Sequence, residues 1–185
     1  MRMSPSSKLF SALLCLVIIA AVLTGCSKPA AAPPPAAPAA PAASAPSGEP
    51  IVIGAIFSCT GPGAPLGEPE KASAQMVEQK VNESGGINGR PVKIIIEDDA
   101  SEESKAVLAA KKLIEQDKVV AIVGPTLSGP SLAILDTCTK ASVPLVSCAA
   151  SVKITNPIAD RKWVFSTAQT DVLAVERLID YLKTK

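Results

Sequence analysis

The stretch Ile51–Lys80, "IVIGAIFSCTGPGAPLGEPEKASAQMVEQK", decides the fold. It opens on "IVIGAIF", a short apolar run rich in branched residues, which reads as a buried strand. "SCTGPGAPLGEP" follows, and its Gly and Pro content reads as a loop. "EKASAQMVEQKVNES" then brings Ala72, Met76, Val77 and Val81 onto or near one face at helical spacing. Strand, loop and helix form half of a βαβ unit, and the chain beyond repeats that rhythm.

After the break at "GGINGR", "PVKIIIEDD" is the next strand and "SEESKAVLAAKKLIEQ" the next helix. Ser101 is its expected N-cap, with Glu102 and Glu103 in the first turn. "KVVAIVGP" is a third strand, and "SGPSLAILDTCTKAS" a helix whose first turn holds Pro130. "VPLVSC" and "KWVFSTA" are further strands, with Trp163 expected in the core or on a hinge face rather than stacked on a ligand. "DVLAVERLIDYLKTK" is a last helix, with Asp171 near its start. Strands alternating with helices imply an α/β fold built on a doubly wound parallel sheet. Ligands of such sheets sit beyond the carboxyl ends of the strands, where the strand order reverses. Three loops leave those ends: "SCTGPGAPLG", "GPTLSGPS" and "SCAASVKIT".

Composition narrows the chemistry those loops can host. The 185 residues carry 18 Lys plus Arg against 17 Asp plus Glu, and aromatics make up 3%. Neither a basic stripe nor a base-stacking surface follows, so no nucleic-acid partner is expected. There is no His, which removes His-based metal sites and Ser-His or Cys-His catalytic pairs. "GPGAPLG" fits a loose dinucleotide pattern, but Pro62, Pro65 and Pro69 lack the N–H donors a pyrophosphate needs. No cofactor, metal or bond chemistry is expected. The acids of "EDDASEE" suit the neighbourhood of a helix N-terminus better than a calcium loop. Ser128, just ahead of a helix, is expected to cap it, and its hydroxyl with the first-turn N–H groups also suits a carboxylate.

The segment before Ile51 is of another kind. "MRMSPSSK" is basic, and Leu9 to Leu23 is uncharged but shorter than the roughly 20 residues of a membrane span. Residues 1–25 read as an export signal peptide. "LTGC" at its end resembles the lipobox of bacterial lipoproteins, which implies cleavage before Cys26, acylation of that thiol and a membrane anchor. Residues 26–50 are then the lipidated Cys and an Ala/Pro-rich disordered stalk, extended by about 3.1 Å per residue where polyproline geometry holds. Of five cysteines, Cys59, Cys138 and Cys148 remain for an oxidising compartment. Three allow at most one internal disulfide, and buried free thiols are the expectation.

From Ile51 to Lys185 the chain resembles the substrate-binding lipoproteins of branched-chain amino acid ABC transporters, with the type I periplasmic binding protein fold. The resemblance rests on "IVIGAIFSCTGPGAPLGEPEKASAQ", "GGINGRPV" with "DD" after the second strand, "VVAIVGPTLSGPSLA", "VPLVSCAASVKIT" and "KWVFSTAQTDVLAVERLIDYL". It implies a non-enzymatic protein outside the cytoplasmic membrane, which captures an amino acid and presents it to a permease. It also implies roles at matching positions. Ser128 binds the ligand carboxylate, Ala149 offers its backbone, and Ser151 hydrogen-bonds the ammonium or carboxylate. Leu66 covers the side chain where the family often has an aromatic. Family members are roughly twice as long, so residues 51–185 are expected to be part of an N-terminal lobe, with the second lobe absent from the 185 residues. A ligand-sensing receptor module of the same fold and a truncated, non-binding remnant stay open beside the importer reading.

Overall fold

The computed structural model describes residues 46–185. The signal segment, Cys26 and most of the proposed stalk lie outside the described residues. Ser47 to Pro50, assigned to the stalk by composition, are held against the turn after the first helix. The Ser47 N–H donates to the Gly89 carbonyl at 2.8 Å, and Arg90 Nε donates to the Glu49 carbonyl at 2.9 Å.

Five strands build the sheet: β1 (Ile51–Phe57), β2 (Val92–Asp98), β3 (Ile122–Val123), β4 (Leu145–Ser147) and β5 (Val164–Ser166). All neighbours are parallel, in the order β2-β1-β3-β4-β5. This is the expected doubly wound sheet, and its order reverses between β1 and β3. Four helices follow the strands: α1 (Ala64–Glu83), α2 (Glu103–Glu115), α3 (Ser128–Ala141) and α4 (Asp171–Lys183). Single 3-10 turns at Val152–Ile154 and Ile158–Asp160 link β4 to β5.

Alternation along β1 sorts its side chains to the two faces of the sheet. Val52 and Ile56 meet α2 and α3 in one core with Ala106, Ala110, Leu113, Ile122, Ile134, Cys138, Leu145 and Ile154. Gly54 belongs to the same face, where a Cβ would stand 2.9 Å from Leu113 Cδ1. Ile53, Ala55 and Phe57 point the other way, toward α1. Cys138 is fully buried, and burial pushes its thiol up to about 12. Cys59, Cys138 and Cys148 are all free thiols.

α1 starts earlier than its composition suggests, with Gly63 as N-cap and Pro65 in the first turn. A proline there forfeits only an N–H that has no intrahelical partner anyway. The expected apolar face of α1 meets the sheet only in part, through Val77, which lines a groove with Ile53 and Phe57. Met76 and Val77 are each 50% exposed, while Glu78 and Asn82 reach the outer edge of β2. The Ile94 N–H donates to Glu78 Oε2 at 2.9 Å, and Val92 exchanges two 2.8 Å bonds with the Asn82 side-chain amide. β2 is an edge strand, and unpaired edge groups invite pairing with another chain. The polar side of α1 therefore takes the place of a sixth strand.

Ser101 is not the N-cap of α2. That position falls to Glu102, and Ser101 sits at φ 66° in the left-handed region, turned back toward the β1 loop. The last helix, α4, is capped by Thr170, whose Oγ1 accepts from the Leu173 N–H. The Asp171 N–H donates to the Ala150 carbonyl, and the Val152 N–H donates to Asp171 Oδ1. Beyond that anchored first turn α4 buries none of its side chains.

Candidate functional site

The loops after β1, β3 and β4 lie side by side at the carboxyl end of the sheet, because those three strands are neighbours. The first two flank the point of strand-order reversal, where ligands of such sheets bind. The β1 and β3 loops are joined directly: the Ser58 N–H donates to Thr126 Oγ1 at 2.9 Å, and that hydroxyl donates to Glu70 Oε2 of α1 at 2.6 Å. The β3 and β4 loops are joined by the Cys148 N–H on the Pro125 carbonyl and by the Ser131 and Ser147 hydroxyls, 2.8 Å apart.

Ser128 is the first residue of α3, half-buried, with Leu127 as N-cap. No side chain caps this helix, so the expected capping bond is not made. A helix start leaves its first N–H groups without intrahelical partners, and Pro130 supplies none. Ser128 and Gly129 therefore present their N–H groups beside the Ser128 hydroxyl, a donor set suited to a carboxylate. Gly129 also makes room for an acid: a Cβ there would lie 2.6 Å from Glu103 Oε1. That carboxylate faces the positive end of the α3 dipole.

Ala149 is 5% exposed, and its backbone is already engaged. Its N–H donates to Ser147 Oγ at 3.1 Å, and its carbonyl accepts from Ser166 Oγ at 3.0 Å. A carbonyl has two lone pairs, so the acceptor rather than the donor of Ala149 is free for a ligand. Ser151 is half-buried at the start of the 3-10 turn. Leu66 lies in the first turn of α1 and is 59% exposed, open to whatever occupies the site. The fold thus brings all four residues to one end of the sheet, Leu66 and Ser128 at helix starts and Ala149 and Ser151 on the loop after β4.

Several residues that shape these loops escaped sequence reading. Ser58, Asp99, Thr126, Ser131 and Ser147 are all buried polar residues. The available signal was polar residues abutting apolar strands, as in "VPLVSC" and "IIIEDD". The acid cluster after β2 divides its work. Glu97 pairs with Lys112 at 2.7 Å, while Asp98 and Asp99 accept hydrogen bonds from the loops. Burial pushes the Asp98 carboxyl up, but bonds from the Thr60 hydroxyl and from the Ala100, Thr60 and Cys59 N–H groups hold it below the usual Asp range. Glu70 moves the other way: partial burial raises it, and the Thr126 hydroxyl offsets only part of that. Cys148, raised by burial and by Glu70 to about 11, is a neutral thiol near pH 7.

Comparisons with known proteins bear on the family and the fold. A periplasmic binding protein family model matches residues 50–185. An amino acid binding protein of Pseudomonas aeruginosa is 38% identical over 82 residues, 44% of this chain and 22% of its own length. Leu/Ile/Val-binding protein homolog 3 of Brucella melitensis is 30% identical over 135 residues, 71% of this chain and 35% of its own. Among solved structures, the branched-chain amino acid transporter substrate binding protein LivJ of Streptococcus pneumoniae, in complex with isoleucine, superposes with a TM-score of 0.63. It is 33% identical, and the match covers 66% of this chain and 35% of LivJ. An extracellular ligand-binding receptor of Rhodopseudomonas palustris HaA2 gives a TM-score of 0.67 at 31% identity, covering 73% and 36%. The matches thus span about a third or less of the relatives' length. With the sheet order, the switch-point loops and a family match over residues 50–185, the chain belongs to the periplasmic binding protein family.

Proposed function

We propose that the protein is an extracytoplasmic solute-binding lipoprotein, which captures amino acids of the branched-chain type for an ABC importer and catalyses no reaction. The observation that carries this reading is the donor set at the start of α3. Ser128 offers a hydroxyl and an N–H at the switch point, with the apolar Leu66 exposed at the same end of the sheet. A carboxylate on the first and an aliphatic side chain on the second describe an aliphatic amino acid. Ala149, through its carbonyl, and Ser151 complete the polar half. The Leu/Ile/Val-binding relatives and the isoleucine-bound LivJ support the same ligand class.

Small-ligand affinity comes from burying most of the ligand's surface, and these loops form one wall. The other wall is assigned to further polypeptide of the kind that makes up the rest of the relatives' length. Calorimetric titration of the membrane-derived protein with isoleucine is the test. Heat of binding that falls on Ser128→Ala is expected, and an affinity unchanged by Ser128→Ala removes that residue from the site. The anchor is tested separately: labelled palmitate enters the wild-type protein through Cys26 and is absent from Cys26→Ser.

A further inference from the structure

We infer that the consecutive acids Asp98 and Asp99 act as a positioning clamp, which holds residues 58–63 against the start of α3 and so sets Leu66 and Ser128 relative to each other. The role in ligand binding rests on the function proposed above; the clamp itself rests on the hydrogen bonds.

Asp98 takes the backbone of the β1 loop. Its Oδ1 accepts from the N–H groups of Cys59 at 2.9 Å, Thr60 at 3.2 Å and Ala100 at 2.8 Å, and Oδ2 accepts from the Thr60 hydroxyl at 2.7 Å. Asp99 is fully buried and takes the loop's root: its Oδ1 accepts from Ser58 Oγ at 2.7 Å and from the Ser101 N–H at 2.8 Å. Ser101 extends the grip. Its hydroxyl accepts from the Gly63 N–H at 2.9 Å and donates to the Thr60 carbonyl at 3.0 Å. Every one of these bonds to the β1 loop crosses between segments about forty positions apart in the chain, so the acids connect two loops rather than decorate one.

The packing leaves the clamped loop little freedom. A Cβ on Gly61 would stand 2.6 Å from the Ala100 carbonyl oxygen; one on Gly63 would stand 2.8 Å from Ser58 Cβ and 3.0 Å from Leu127 Cδ1. Gly63 is therefore wedged between the clamped loop and the residue that precedes Ser128, and it is also the N-cap of the helix that carries Leu66. Ala100 and Ser101 sit at φ 48° and 66°, a region unfavourable for residues with a Cβ. Two successive left-handed residues persist because the turn they form delivers both carboxylates and the Ser101 hydroxyl to the neighbouring loop.

The test compares Asp98→Ala with Asp98→Asn in the full chain, with amide hydrogen exchange as the first readout and isoleucine titration as the second. Asn keeps an acceptor for the three N–H groups, and Ala keeps none. Asp98→Ala is expected to speed exchange at Cys59 and Thr60 by about tenfold or more, the loss of a charge-assisted bond, while amides of α2 and α3 keep wild-type protection. Asp98→Asn is expected to recover most of it. Isoleucine affinity should fall and recover in the same order. Unchanged exchange at 59–60 in the Ala variant, or exchange that rises equally throughout the sheet, overturns the clamp. An isoleucine affinity unchanged in a variant whose loop has been freed overturns its positioning role. If the wild-type chain takes up no isoleucine, the binding reading fails while the exchange data still decide the clamp.

Discussion

α2 and α4 have the same length, 13 residues each, and both are amphipathic, yet they meet opposite fates. α2 buries Ala106, Ala109, Ala110 and Leu113; α4 buries nothing and leaves Val172, Val175, Leu178, Ile179 and Leu182 between 45% and 62% exposed. The difference lies in what surrounds them. α2 crosses back over the sheet beside α3, and small alanines let helix and strands approach closely. Among the described residues, the hydrogen bonds that tie α4 to the body are those of Asp171, whose N–H donates to the Ala150 carbonyl and whose carboxylate accepts from the Val152 N–H. The two sides of the sheet repeat the contrast. One side is closed by α2 and α3, while the other, under α1, keeps an apolar groove of about 470 Å³ lined by Ile53, Phe57, Val77, Ile94 and Val123. Amphipathicity marks the apolar face of a helix; it does not guarantee that the described residues cover that face.

The hardest test of this contrast is a pair of leucine truncations. Leu113→Ala empties part of the closed core and is expected to cost about 2–5 kcal/mol. If urea unfolding shows less than about 1 kcal/mol there, the core as described is not the stabilising one. Next in size is Thr170→Ala, which removes the α4 cap and is expected to weaken that helix by about 1 kcal/mol. The loss should register as lower helicity and faster exchange in α4, with the midpoint of the main transition unmoved; a shift of that midpoint would mean α4 is part of the same cooperative unit as the sheet.

Acid sharpens the comparison between loop and groove. Asp98 has a lowered folded-state pKa, so its contribution is present above the ordinary carboxylate range and is lost as pH falls through the depressed value. Glu70 has a raised one, so stability declines as pH climbs from the unfolded Glu value to the folded value. Glu70→Gln keeps an acceptor for Thr126 and is expected to raise the urea midpoint slightly at pH 7 and to abolish that decline; an unchanged pH profile would place the titration elsewhere. The smallest effect belongs to Leu178→Ala, expected within about 0.5 kcal/mol of wild type. A core-sized loss there would erase the distinction between the two helices.

Much of the fold was legible because it follows from local rules. Branched apolar runs at the spacing of Ile51–Phe57 and Val92–Asp98 leave little choice but buried parallel strands, whereas the Gly/Pro-rich segment after β1 is a loop only as far as Gly63, its second half being the start of α1. Ser128 was legible from the residues as a helix start, while Ala149, Ser151 and Leu66 came only through the family resemblance; all four stand toward the carboxyl end of the sheet. Three features were not legible. The sheet-facing side of α1 was read only in part: Val77 turns to the sheet as expected, but Glu78 and Asn82 are drawn to the backbone groups of an edge strand, and edge position is a property of the whole sheet. Ser101 looked like a helix cap because Ser before acids usually is one; the β1 loop, about forty positions away, offers its hydroxyl better partners. The third is which amphipathic helix is covered: α2 and α4 both carry an apolar face, and the alanines of α2 allow close packing without showing what it packs against.

The amino-acid sequence by itself determined the alternation of strands and helices, the class of fold and the three loops from which a site can be built, because hydrophobic period and turn chemistry act within a few residues. Only the tertiary structure decided which polar groups are buried together, which acids grip which loop and which amphipathic face is covered. Those outcomes depend on desolvation and hydrogen-bond pairing between segments far apart in the chain, and no local pattern encodes who the neighbour will be.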